Sequence, residues 1–306
     1  MANPPNTGRT RTVQPLADTP KRASILKKLR ARPTVRGSVI ALIILIVLVV
    51  FAPYFAPQNP YDLANLSLMD GRLAPRQALM DGSIAWLGTD DQGRDMLSAI
   101  LYGLRISLMV GLSAVVLATA VGGAVGLVAA YIGGLVDTVL MRIVDFILGF
   151  PTILVALVLL VVLGRGVDKV ILALVLVQWG HYARIMRSRA LQERRKEYVE
   201  AAANLGFPAW RIMVFHLLPN CLAPVIVMAT SMCGWIILAE SSLSFLGLGV
   251  APPAPTWGNM LAGSRSYIGQ AAWLAVFPGL AISLSLLGIN LLGDALRDRL
   301  DPRMRR

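Results

Sequence analysis

Between Arg105 and Asp137 the chain carries no charged residue: positions 106–136 are an unbroken apolar run. A bilayer's hydrocarbon core is about 30 Å thick and takes about 20 apolar residues in helical form. Backbone that enters lipid must satisfy its own hydrogen bonds, so such a run has one solution, a helix. Further runs of the same kind occupy 38–55, which is just long enough, and 146–164, 217–239 and 266–293. A shorter one, 170–183, lies between Lys169 and Arg184 and spans only if Asp168 and Lys169 snorkel at one face while the Arg-rich end continues into water. The expected fold is therefore all-α: a polytopic membrane protein with six transmembrane helices, near 38–56, 106–131, 138–164, 169–190, 217–240 and 270–293. The composition agrees, with 56% hydrophobic and 15% charged residues, far from a soluble domain.

Lys and Arg set the orientation. Residues 1–37 hold nine against the single acid Asp18, residues 184–216 hold seven, and residues 297–306 hold five. The long loop at 56–98 has Arg72, Arg76 and Arg94 against six Asp. Both termini and the 184–216 loop are thus expected in the cytoplasm, with outer loops near 57–100 and 248–268. The formal charge of +12 is mostly this topology. Nucleic-acid binding is the rival explanation of so basic a chain, and it loses because the basic residues adjoin the spans. Residues 1–35, rich in Pro, Thr, Arg and Lys, read as a disordered basic tail leading into an uncleaved anchor. Cys221 and Cys233, 12 residues or about 18 Å apart on one helix, are too distant for a disulfide and read as core packing.

One water-facing segment departs from the lipid-like pattern. Glu197 to Leu205 is made of strong helix formers, Gly206 is placed to stop that helix in the left-handed region, and Pro208 suits the first turn of another. The pattern predicts a short helix, a sharp turn, and a surface segment carrying Trp210, Ile212, Met213 and Phe215, with Pro219 at its junction with the fifth span. Ala201, Ala202 and Ala203 permit close approach, and Glu200 offers a carboxylate at a helix start. Physics alone leaves two readings open, an ordinary amphipathic connector or a surface that fits a partner's cleft.

A resemblance to a known family narrows this choice. Glu200-Ala201-Ala202, Gly206 and His216-Leu217-Leu218-Pro219-Asn220 stand at the spacing of the importer-permease signature. Leu87-Gly88-Thr89-Asp90, Gly93-Arg94-Asp95, Ala130-Tyr131-Ile132-Gly133-Gly134, 243–249 (Leu-Ser-Phe-Leu-Gly-Leu-Gly), Trp257-Gly258 and Asn290-Leu291-Leu292-Gly293-Asp294 extend the match over roughly 36–303. The chain resembles the C-type subunit of the dipeptide/oligopeptide/nickel permeases of ABC importers. That resemblance implies the type I importer-permease fold in the bacterial inner membrane. It implies a homologous B-type permease, two cytoplasmic ABC ATPases that bind ATP and Mg, and an extracytoplasmic substrate-binding protein. It also implies ATPase docking by Glu200, Ala201, Ala202, Gly206, Leu218 and Pro219, and cargo among di- or oligopeptides, nickel, opines or glutathione. Residues 64–84 fall outside the matching pattern.

Polar groups at membrane depth each need a reason. Arg142 and Asp145, i,i+3 on one helix, are expected to pair. Glu240 near the outer end of span five, with Ser241 and Ser244, is a candidate gate or pathway contact, as are Gln178 and His181 on the short fourth span. Gly122-x-x-x-Gly126 offers a face for close helix packing, and Pro151, Pro224 and Pro278 are placed to kink spans three, five and six. None of the five lysines precedes Ser or Thr, so the chain has no phosphate-binding P-loop and no ATPase of its own. No metal-ligand spacing occurs. A secondary transporter with a buried coupling acid is the competing function, with Glu240 its one candidate, although no internal repeat accompanies it. An intramembrane enzyme would need a nucleophile and base paired at depth, and the spacing supplies none.

Overall fold

The computed structural model describes residues 33–61 and 66–300; the basic tail expected over 1–35 lies almost wholly outside them. The long helices are α1 (Pro33–Val50), α2 (Met96–Ile132), α3 (Gly134–Leu148), α4 (Thr152–Leu163), α5 (Val167–Arg194), α6 (Glu197–Asn204), α7 (Leu218–Phe245), α8 (Trp257–Ser264) and α9 (Trp273–Leu300). Strand structure among the described residues is one two-residue hairpin, Gln77–Ala78 against Ile84–Ala85. Among the described residues three helices are long and apolar enough to cross a membrane: Met96–Ile132, Ala209–Phe245 and Trp273–Asp298. A fourth crossing arises if the bent pair α3 and α4 counts as one. By length and composition alone that is fewer than the six expected; the other two positions are occupied by α1 and by α5, whose C-terminal half is rich in Arg.

The expected third span is not a straight rod. α3 and α4 meet at 89° across Gly149-Phe150-Pro151. Proline cannot donate its N–H and pushes the preceding residue out of the helical region, so the helix ends there and restarts.

α2 and α5 form the principal packing pair of the bundle. Gly122 and Gly126 make it possible: a Cβ on Gly122 would stand 2.8 Å from Tyr182 Cβ, and one on Gly126 would stand 2.9 Å from Met186 Cβ. The missing side chains let the two backbones touch, which is how helices associate where apolar burial gives little advantage over lipid. Asp95 caps α2, its Oδ2 accepting from Ser98 N at 2.8 Å and Ser98 Oγ at 2.6 Å. Gly133 and Gly134, both at positive φ, turn the chain from α2 into α3.

At one end of the bundle the chain between α1 and α2 folds, over residues 66–95, into a cap. Buried Asp70 accepts from Met80 N at 3.0 Å, Thr89 Oγ1 accepts from Leu73 N at 2.8 Å, and Arg94 pairs with Asp90 at 2.6 Å. The cap rests on the segment between α8 and α9, where Arg72 lies over the Tyr267 ring at 4.8 Å. Trp257 of α8 is buried against Gly103 of α2 and donates to the Ile100 carbonyl at 3.1 Å.

Candidate functional site

The loop after α5 folds as helix, turn, helix. α6 stops where Leu205 gives way to Gly206, which stands at φ +78° with nothing within 4 Å of the Cβ it lacks. Gly206 N donates to the Ala203 carbonyl at 3.0 Å and Phe207 N to the Ala202 carbonyl at 3.3 Å. This pair of bonds is the Schellman closure, which needs a left-handed residue at Gly206. Pro208 precedes the next helix, as expected.

The continuation departs from expectation. The segment after Pro208 is no separate surface piece with a junction at Pro219. It runs from Ala209 through a π turn, Ile212–Leu217, directly into α7. Pro219 supplies the reason: in an α-helix its ring would strike the Phe215 carbonyl and its nitrogen has no proton to donate. Widening the preceding turn carries the chain past the conflict, with Leu218 N reaching back to the Met213 carbonyl. Proline two residues into a predicted helix was the available signal for this turn.

α6 packs on the π turn and on the end of α5. Val199 and Ala202, three residues apart and on one face, are 3% and 4% exposed. Ala202 therefore faces this chain's own core, not a partner as expected; close packing of α6 on the π turn is the use of its small side chain. Glu200 and Ala201 are exposed on the opposite side, Leu218 is half-buried and Pro219 exposed. Sequence reasoning placed Trp210 and Phe215 on a surface segment but missed the leucine exposed beside them. Leu205 is 74% exposed, and Trp210 and Phe215 project beside the turn with their rings 6.1 Å apart. A leucine immediately before a helix-stopping glycine in a water-facing loop was the signal.

Behind this surface runs a polar network. Tyr198 Oη donates to Glu193 Oε1 at 2.6 Å and accepts from Asn220 Nδ2 at 3.1 Å. Asn220 Nδ2 also donates to the His216 carbonyl at 2.7 Å, and Lys196 pairs with Glu193 at 2.8 Å. Burial, and then the Glu193 carboxylate, raise the Tyr198 hydroxyl above its usual value. Burial works against the Glu193 charge, but Lys196 and Tyr198 outweigh it and hold Glu193 below the usual glutamate value.

Three arginines of α5 bind the neighbouring segments. Arg187 grips Asp137 through two nitrogens, and Arg184 pairs with Asp145 at 2.8 Å. Arg194 donates to the Ala130 carbonyl at 3.0 Å and covers the Tyr131 ring. The expected Arg142–Asp145 pair is thus corrected: Asp145 takes its partner from α5. An i,i+3 spacing brings two side chains near each other, and the packed neighbouring helix offered the better-aimed cation.

The candidate pathway residues lie mostly inside the chain. Glu240 and Ser244 are fully buried, Ser241 and Gln178 nearly so, and His181 is half-buried. Glu240 accepts from Ser244 Oγ at 2.8 Å, from Ser107 Oγ of α2 at 3.1 Å and from Ser241 Oγ at 3.5 Å. It faces neither an outer gate nor the helix end in water; it ties α7 to α2. Gln178 Oε1 has no hydrogen-bond partner among the described residues.

Comparison with known proteins agrees with this architecture. Residues 122–306 match the family described as "Binding-protein-dependent transport system inner membrane component", and residues 22–75 match "N-terminal TM domain of oligopeptide transport permease C". The dipeptide transport system permease protein DppC of Escherichia coli K12 is 43% identical over 88% of this chain and 90% of its own length. The di/tripeptide transport system permease protein DppC of Pseudomonas aeruginosa is 39% identical over 88% of each chain. Among solved structures, a chain of the MetNI methionine ABC transporter superposes with a TM-score of 0.56 at 18% identity, covering 67% of this chain and 98% of that one, a likeness of fold. The chain belongs to the binding-protein-dependent transport system inner membrane component family and is a non-catalytic permease subunit of an ABC importer.

Proposed function

We propose that this permease imports di- or oligopeptides as half of a translocation pathway, the other half being a homologous B-type permease. Two cytoplasmic ATPases bind ATP and Mg and dock on the 197–216 loop, and a substrate-binding protein delivers cargo from outside. Its similarity to dipeptide and di/tripeptide transport system permeases supports the cargo. The Lys/Arg distribution supports both termini and the docking loop in the cytoplasm of an inner-membrane protein.

One observation carries the docking assignment: α6 buries Val199 and Ala202 against its own chain and still leaves Glu200, Ala201 and the side chain of Leu205 in water. An apolar side chain that exposed beside a helix turn suits a helix-in-groove contact. Glu200 offers an ion pair at its rim, and Gly206 aims the whole. ATP binding then shifts the permease pair between inward-open and outward-open states, to the extent that the docked ATPase favours one of them.

The test is co-purification of the ATPase with variants of the exposed side. Leu205→Glu and Ala201→Trp should leave insertion and permease pairing intact yet lose the ATPase. Retention of ATPase by both variants at the wild-type level would remove the docking assignment.

A further inference from the structure

Docking explains Glu200, Ala201 and Leu205 but not the neighbouring Tyr198, partly exposed itself, whose hydroxyl joins α6 to α5 and α7. Tyr198 Oη receives Asn220 Nδ2 from the first turn of α7 and gives its one proton to Glu193 at the end of α5. At 2.6 Å to a carboxylate, that second bond is at the strong, charge-assisted end of the range. The His216 carbonyl lies 3.4 Å from the same hydroxyl but takes its bond from Asn220 Nδ2 instead, at 2.7 Å. Val199 and Ala202, the buried residues of α6, make apolar contacts only through their side chains.

The segment on the far side of this junction is the π turn. A π turn holds one residue more than the helical register needs, so it can lose or shift that residue without unfolding. A one-residue shift in helical register turns the rest of the helix by about 100°. Asn220 therefore sits between the Tyr198 hydroxyl and the π turn, in a helix that runs unbroken from Ala209 to Phe245.

We propose that the Tyr198 hydroxyl is the positioning group through which movement of the docking helix reaches α7, by way of Asn220 and the π turn. The proposal rests on the docking assignment above. Tyr198 lies on the linkage between docking and the membrane helices; Glu200, Ala201 and Leu205 make the contact itself. Removing the hydroxyl should leave the ATPase bound and hydrolysing while its strokes fail to turn α7.

The experiment uses the complete importer, with both permeases, the ATPases and the binding protein, in liposomes with a labelled dipeptide. Tyr198→Phe keeps the ring and removes only the oxygen; Asn220→Ala breaks the same path one step on. Three quantities are read: ATPase retained, ATP hydrolysed, and peptide imported per ATP. Both variants should keep the ATPase and its hydrolysis at the wild-type level, with peptide imported per ATP falling about tenfold in Tyr198→Phe, which loses a hydrogen bond to a carboxylate, and by a smaller factor in Asn220→Ala, which loses bonds between neutral groups only. An unchanged peptide-to-ATP ratio in both variants, or a fall in uptake matched by an equal loss of bound ATPase, would overturn the proposal. Absence of ATPase from the wild-type complex would instead overturn the docking assignment on which it stands.

Discussion

At Gly206 the backbone stands at φ +78° in open space, so any side chain there meets conformational strain and no steric neighbour. Gly206→Val should cost about 1–2 kcal/mol locally and re-aim α6; loss of ATPase in a pull-down, with normal membrane insertion, is the expected outcome. Ala202 behaves oppositely. It is 4% exposed, so Ala202→Trp overfills this chain's own packing at a cost of about 1–3 kcal/mol and should lower the melting temperature even with no ATPase present. Gly206 was legible in the sequence because a left-handed stop is a property of the local backbone. The inward direction of Ala202 was not, because it depends on which side of α6 meets the π turn. Glu193 allows a pH test of the network behind that turn. Its carboxyl is held below the usual glutamate value, so its stabilisation is fully present above that value and fades as pH falls through the lowered one. The melting-temperature gap between wild type and Glu193→Gln should be constant at neutral pH and close only in acid below the usual glutamate range.

Among the elements, the α2–α5 crossing carries the most packing and tolerates the least change. Gly122→Leu and Gly126→Leu place side chains where Tyr182 and Met186 already stand. Each should reduce recovery of monodisperse protein in detergent, whereas Gly279→Leu, which has nothing within 4 Å of its Cβ, should not. The helices, the glycine face of this crossing and the break at Pro151 could be read from spacing and residue type, since apolar run length and proline act locally. The size of the bend, the π turn before Pro219 and the partners of Asp137 and Asp145 could not. Each is decided by which neighbouring helix arrives, and the Arg184–Asp145 and Arg187–Asp137 pairs link residues 39 and 50 positions apart. The serine cradle of Glu240 is of the same kind: Ser107 comes from 133 residues away, and its arrival turned a candidate gate into a tie between α2 and α7.

For the whole molecule, charge distribution and apolar runs predict sidedness as well as fold. The two native cysteines are free and buried, so a background with both replaced suits single-cysteine labelling. A cysteine at Asp81 on the cap should react with impermeant reagent in intact cells, and one at Ala203 only after the membrane is opened. The competing picture of a secondary transporter needs an ionisable group that exchanges with water during its cycle. Glu240 is fully buried and bonded to three serines in this conformation, a tie between α2 and α7 with no path to water. The most direct test is dipeptide uptake by liposomes containing this chain, its partner permease, the ATPases and the binding protein, with ATP or an ion gradient as the sole energy source. Uptake should require hydrolysable ATP and vanish with Leu205→Glu; uptake driven by the gradient without ATP, or unaffected by that substitution, would contradict the importer mechanism proposed for this permease.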